Sequence, residues 1–345
     1  MKKKKTVLWS CVAVLITGLT VYAVFENSRS LTLSEVLDAL GSASPFWLIV
    51  AFLCACGFIV FEMLALLWAL KHLGYRRKLR QGLLYSAGDI YFSAITPSAS
   101  GGQPASAVFM HQDRIPSAVI SVVLLINLIM YTLAILTIGT LCLIQKPQLF
   151  MVYSPFSRFL IVFGMTVLSF LAFLFFALLK QGRILHKVGL WLIRLLFKLH
   201  ILKNEEKWTK KLDRIVEEYK LCSDSLKGQR KMLFVLYLLN LLQRISQISV
   251  TPMIYLAMSG DSRGTGPTLW ILQAFAQIGA NCIPLPGGIG VADYLMLDGF
   301  SFLFDSNYAY KLEILSRGFS FYICTLLSGI ILLISSFLTR RKPHA

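Results

Sequence analysis

Charge is what this sequence has least of. Asp, Glu, Lys and Arg make up 15% of its 345 residues, where an average soluble domain carries about 25%. Acidic residues are scarcer still, 17 against 34 basic ones. Such a chain cannot coat a water-facing surface, and with 56% hydrophobic residues it is expected to be an all-α polytopic membrane protein. Its seven cysteines form no CxxC pair and six lie in apolar segments, so they read as small buried hydrophobes rather than metal ligands or disulfides. The five histidines show no HExxH or comparable spacing. GxxxxGK[ST] is missing too, so no ATP-driven step is expected, and no cofactor or metal.

What the chain does have is apolar runs of about 20 residues, the length of a membrane span. Six are predicted: Val7–Phe25, Phe46–Leu70, Ser117–Ile144, Phe159–Leu179, Met232–Met258 and Phe319–Leu338. The first follows four lysines and has no small-residue cleavage site, so it reads as a retained anchor. Cytoplasmic loops gather Lys and Arg. Lys2–Lys5, the loop around Arg76, Arg77, Lys78 and Arg80, the segment 180–231 and the tail at Arg340 then all lie inside, with both termini cytoplasmic. With Arg114 added, that topology puts 27 of the 34 basic residues inside and 6 outside, leaving Arg244 within the membrane. It also accounts for the net charge of +17 without nucleic-acid binding.

The same topology requires two stretches to enter the membrane and return to the side they came from. Gly82–Ile95 and Thr268–Ile283 are too short to cross, and each runs into a helix breaker, "TPSASGGQP" at Thr96–Pro104 and "PLPGGIG" at Pro284–Gly290. Two re-entrant hairpins of opposite orientation are the mark of an inverted repeat whose broken helices meet near the midplane. Irregular backbone survives there only where protein or a wet cavity shields it. The alternative for each breaker is an ordinary surface loop. A single membrane domain is expected over 1–345, with halves at 7–179 and 232–338 joined by 180–231.

The motifs "ITPSASGGQPAS" and "CIPLPGGIGVAD" resemble the paired motifs of the lysylphosphatidylglycerol synthase transmembrane region family, the flippase-like membrane part of the multiple peptide resistance factor and its short stand-alone relatives. The resemblance extends over about Val7 to Leu338. It implies lipid translocation in a bacterial membrane, support of resistance to cationic antimicrobial peptides, and a separate lipid synthase as partner. In longer relatives a soluble domain transfers an aminoacyl group from tRNA to phosphatidylglycerol. Only seven residues follow Leu338, so the expectation here is the translocating part without that enzyme.

Charged residues inside spans are costly and usually face a cavity or a partner. The candidate substrate-binding set is Thr96, Pro97, Gly101, Gly102, Gln103, Arg244, Gln247, Pro286, Gly287, Gly288 and Gly290, with Glu62, Asp89 and Asp293 as charge partners. Arg244 and the free amides of helix starts near Gly101–Gly102 and Gly287–Gly288 suit the phosphate of an anionic or aminoacylated phospholipid. The acids then suit a cationic headgroup or a coupling proton. Equally, Arg244 pairs with one of them for structure alone. Gln243 and Gln247 share a face beside Arg244 in the polar strip Asn240–Ser249, which reads either as a cavity wall or as interhelical hydrogen bonding. In the segment 180–231, Arg183, Lys187, Arg194 and Lys198 form one stripe of an amphipathic helix, which fits an anionic membrane surface or a plain positive-inside anchor.

Three functions are open at this point: lipid translocation, phosphatidylglycerol lysyltransfer, and small-solute transport on the same broken-helix plan.

Overall fold

The computed structural model describes residues 40–96, 100–180, 228–258, 264–281, 288 and 290–340, with isolated positions at 38 and between 190 and 226. The expected span Val7–Phe25, most of 180–231 including the basic stripe, and Pro97, Pro286 and Gly287 lie outside the described residues.

The described chain is helical, with no strand. Helix α1 (Pro45–His72) opens on a proline, whose missing N–H is no loss at a first helical position. α2 (Leu79–Ile95) and α3 (Gly102–Gln112) are the legs of the first hairpin. α4 (Ser117–Gln145), the short α5 (Pro147–Met151) and α6 (Pro155–Lys180) follow. After α7 (Arg230–Ala257), α8 (Thr265–Ala280) and α9 (Val291–Phe300) are the legs of the second hairpin. α10 (Ser306–Arg317) passes through a π-helical segment (Gly318–Ile323) into α11 (Cys324–Arg340).

Among the described residues, five stretches are long and apolar enough to span: α1, α4, Pro155–Ala177, α7 and Ser306–Ser335. They coincide with the expected spans beyond the first, with one correction. The last begins at Ser306 rather than Phe319, where the Asp305 carboxylate caps the helix by accepting from the Tyr308 amide at 3.2 Å. Arg317, expected outside the membrane, is therefore in this helix, buried.

α1 and α7 run antiparallel and are pinned at both ends. The Ser44 amide donates to the Ala257 carbonyl at 2.8 Å. At the opposite end the Trp68 indole donates to the Met232 carbonyl at 3.2 Å. Midway they approach closely, since a Cβ on Gly57 would lie 2.8 Å from the Ser246 hydroxyl. The Trp68 end carries Lys71, Arg76, Arg77, Arg230 and Lys231 and is the basic end of the bundle.

The two hairpins enter from opposite ends. The open end of the first is at the basic end, where Arg77 donates to the Asp113 carbonyl at 2.9 Å and the Tyr85 hydroxyl bonds the Asp113 carboxylate. The open end of the second is at the other, where the Asp298 carboxylate accepts from the Ser154 amide at 2.9 Å and Tyr153 donates to the Leu272 carbonyl at 2.7 Å. Legs of 17 and 11 residues, and of 16 and 10, reach about 15–26 Å at 1.5 Å per residue, short of the roughly 30 Å apolar core.

Protein covers the second hairpin's first leg on most sides. Leu269, Leu272, Phe275 and Ile278 of α8 are buried against α4, α6 and α7. Gly164 of α6 allows the closest approach: a Cβ there would fall 2.5 Å from the Ile278 carbonyl oxygen. The outward faces are greasy, with Phe156, Phe159, Phe163, Phe170 and Phe173 exposed along α6, as lipid contact requires.

Candidate functional site

Polar side chains from α1, α4 and α7 meet in the middle of the bundle. Glu62 is the hub. One of its carboxylate oxygens accepts from Asn127 at 2.9 Å and the other from Gln243 at 2.8 Å. Asn240 extends the chain by donating to the Asn127 side-chain oxygen at 3.0 Å. Glu62, Asn127, Asn240 and Gln243 are all buried. Taking such groups out of water is costly unless each finds a partner, and here Glu62 has one for each oxygen.

The first hairpin joins this hub through Asp89 on α2, whose carboxyl lies close enough to that of Glu62 for the two charges to act on each other. Asp89 also accepts from Ser93 at 3.3 Å and from Gln103, at the start of α3, at 3.4 Å. Gly102 makes that closeness feasible. A Cβ there would meet the Ser93 hydroxyl at 2.0 Å and the Asp89 carboxylate at 2.1 Å. The positive start of α3 thus rests on an acid of its own hairpin. Thr96 closes the break: its hydroxyl donates to the Phe92 carbonyl at 2.6 Å and accepts from the Gly101 amide at 2.8 Å.

Arg244 lies on the α7 face beside this network and is 3% exposed. Its guanidinium donates to Gln247 at 2.7 Å and stacks 4.0 Å from the Tyr131 ring centroid and 4.9 Å from that of Phe58. Its Nε is buried and has no acceptor. Tyr131 in turn donates to Asn281 at 3.4 Å, at the break of the second hairpin. Arg244 therefore sits between the two breaks, with Glu62 and Asp89 as its nearby acids. At the breaks themselves Ser100, Asn281 and Gly290 are exposed.

Asp293 is elsewhere. It belongs to a second acid–arginine cluster on α9 and α10, where the Arg317 Nε lies 2.8 Å from its carboxylate. The other Asp293 oxygen accepts from the Gly290 amide at 2.7 Å and so caps α9. Glu313 closes the cluster, buried and within electrostatic reach of both Asp293 and Arg317, and Arg317 stacks 4.9 Å from the Phe321 ring centroid. The backbone at Gly288 (φ 64°) and Gly290 (φ 83°) is left-handed, a conformation that glycine adopts without strain.

Of the sequence-predicted residues, the structure thus gathers Glu62, Asp89, Thr96, Gly101, Gly102 and Gln103 around the first break, with Arg244 and Gln247 facing them. Gly290 and Asp293 belong to the second cluster. Asn127, Glu313 and Arg317 were not foreseen. Glu313 and Arg317 stand at i, i+4, the spacing of a helical ion pair, and that was a readable signal. Asn127 is one amide in a long apolar run and offered none.

Each hairpin thus carries an aspartate close to its break, a glutamate from a spanning helix against that aspartate, and an arginine beside the pair. Curated proteins include no match to this chain. Residues 7–328, nearly the whole length and both breaker motifs with it, match the family described as the lysylphosphatidylglycerol synthase TM region, and the chain belongs to that family.

Proposed function

We propose that this protein moves a phospholipid between the two leaflets of a bacterial cell membrane. The headgroup passes through the polar centre between the hairpin breaks while the acyl chains stay in lipid. By the positive-inside rule the basic end faces the cytoplasm, as do both termini.

The observation that carries the reading is Arg244. A guanidinium that is 3% exposed, with its Nε lacking an acceptor, is an expensive group to keep in a membrane interior. An anionic phosphate supplies the missing acceptor in the bidentate geometry that arginine favours. The flanking Gln247, Tyr131 and Phe58 hold the guanidinium in place, and Gln103 and Thr96 present polar groups at the adjoining break. Glu62 and Asp89, the acids near Arg244, would then offer negative charge to the ammonium group of an aminoacylated headgroup. The substrate is accordingly an anionic or aminoacylated phospholipid such as the phosphatidylglycerol series, made by a separate synthase. Delivery of a cationic lipid to the outer leaflet would make that surface less negative and so oppose cationic antimicrobial peptides.

The test is leaflet exchange in proteoliposomes containing head-labelled phosphatidylglycerol, read by chemical quenching from outside. The wild type is expected to expose the inner-leaflet pool to the quencher. Arg244→Ala is expected to insert and elute normally yet slow exchange by 10-fold or more, since losing one charge-assisted contact costs about 1.5–3 kcal/mol. Ion flux in place of lipid exchange in the wild type would refute the proposal.

A further inference from the structure

A groove of about 630 Å³ lies at the basic end, away from the central network, between α1, the start of α2 and the start of α7. Its walls are of two kinds. Leu64, Leu67, Leu79, Val235 and Leu239 line the body, and Trp68, Lys71, Arg76 and Arg77 surround the mouth.

On α1, residues 64, 67, 68 and 71 recur at the spacing of a single helix face. That face begins among leucines and ends on a lysine whose Nζ is 5.6 Å from the Trp68 ring centroid. The geometry of the mouth is fixed by backbone. Trp68 is held by the Met232 carbonyl, and Arg77 by the Asp113 carbonyl at 2.9 Å. Lys71, Arg76 and Leu79 are exposed.

We infer that this groove binds one anionic phospholipid, its acyl chains along the leucine wall and its phosphate among Lys71, Arg76 and Arg77. An apolar trough inside the bilayer that ends in three cations has the same division of chemistry as such a lipid. The tryptophan between them is at the level where its amphipathic ring is favoured. Juxtamembrane cations attract anionic lipid individually and in sum. Val235 and Leu239 also share their α7 stripe with Gln243, one turn further on, which donates to Glu62. The groove therefore leads along α7 toward the central site, from the leaflet in which a cytoplasmic synthase would leave its product. Occupancy of the groove does not depend on translocation: lipid held there without leaflet exchange would leave this site standing and remove only the transport reading.

The test uses the full-length protein in nanodiscs, with tryptophan fluorescence quenched by lipids brominated on the acyl chains. Brominated phosphatidylglycerol is expected to quench several-fold more effectively than brominated phosphatidylcholine, and the difference is expected to vanish in Trp68→Phe. Lys71→Ala and Arg76→Ala are each expected to weaken phosphatidylglycerol binding by about five-fold, removing most of the preference with unchanged circular dichroism. Val235→Phe, which fills the trough and leaves the cations in place, is expected to weaken quenching by both lipids. Equal quenching by the two lipids, a preference unaffected by both charge removals, or displacement of the lipid by soluble glycerol phosphate would overturn the assignment.

Discussion

The junction of Asp89 and Gly102 is the tightest point in the first hairpin, and it makes a sharp prediction. In Gly102→Ala the new methyl would lie 2.0 Å from the Ser93 hydroxyl, 2.1 Å from the Asp89 carboxylate and 2.6 Å from the Asp89 carbonyl oxygen. Side chains can turn away, but the carbonyl belongs to the α2 backbone, so α3 must move off α2. Overpacking of this kind costs about 1–3 kcal/mol, and separation of the legs also stretches the Gln103–Asp89 hydrogen bond, worth about 1–2 kcal/mol. Helix propensity acts in the other direction, because alanine is favoured over glycine by about 1 kcal/mol in a helix interior. The net expectation is a loss of about 1–4 kcal/mol. Gly318→Ala is the matched control: it is also helical and has nothing within 4 Å of the added Cβ. Thermal unfolding in a mild detergent should lower the apparent midpoint by several degrees for Gly102→Ala and leave Gly318→Ala equal to the wild type or higher. Equal midpoints for the two variants would refute the close packing of α3 on Asp89.

Two further outcomes follow from the second hairpin. Asp293→Asn and Arg317→Met each break the 2.8 Å ion pair and should cost about 1–3 kcal/mol singly, with the double variant losing less than their sum; strict additivity in a double-mutant cycle would show that the two are not coupled. Tyr153→Phe removes a buried 2.7 Å bond to the Leu272 carbonyl and should cost about 1–2 kcal/mol, while Tyr310→Phe on the exposed side of α10 changes nothing measurable; the same unfolding assay compares them.

The spans and the helix breaks were legible because both follow from composition over a window. Apolar length gives a span, and a cluster of proline and glycine gives a break whatever surrounds it. Side-chain pairing was legible only where the polar residue was itself conspicuous. Glu62, Asp89 and Arg244 stand out in apolar sequence, and the structure brings them into one region. Asp293 stands out equally, yet its partner is Arg317, because α10 passes beside α9 and the sequence carries no trace of that adjacency. The late start assigned to the last span has a related cause. Glu313 and Arg317 lower the hydropathy of Ser306–Arg317, so a window reads it as a loop; once Asp293 neutralises the arginine, the same residues continue the helix. Gln243 and Gln247 were read as one polar face, but the first is committed to Glu62 and the second to Arg244.

The fastening of α1 to α7 at both termini has a mechanical implication. Two rods tied at each tip and meshed at Gly57 cannot slide or pivot against each other without breaking backbone contacts. They form a stationary mast. On the proposed transport reading, alternation between inward- and outward-facing states would then fall to the half-length helices swinging about it, and the strokes of the two would be opposed, since their open ends lie at opposite ends of the bundle.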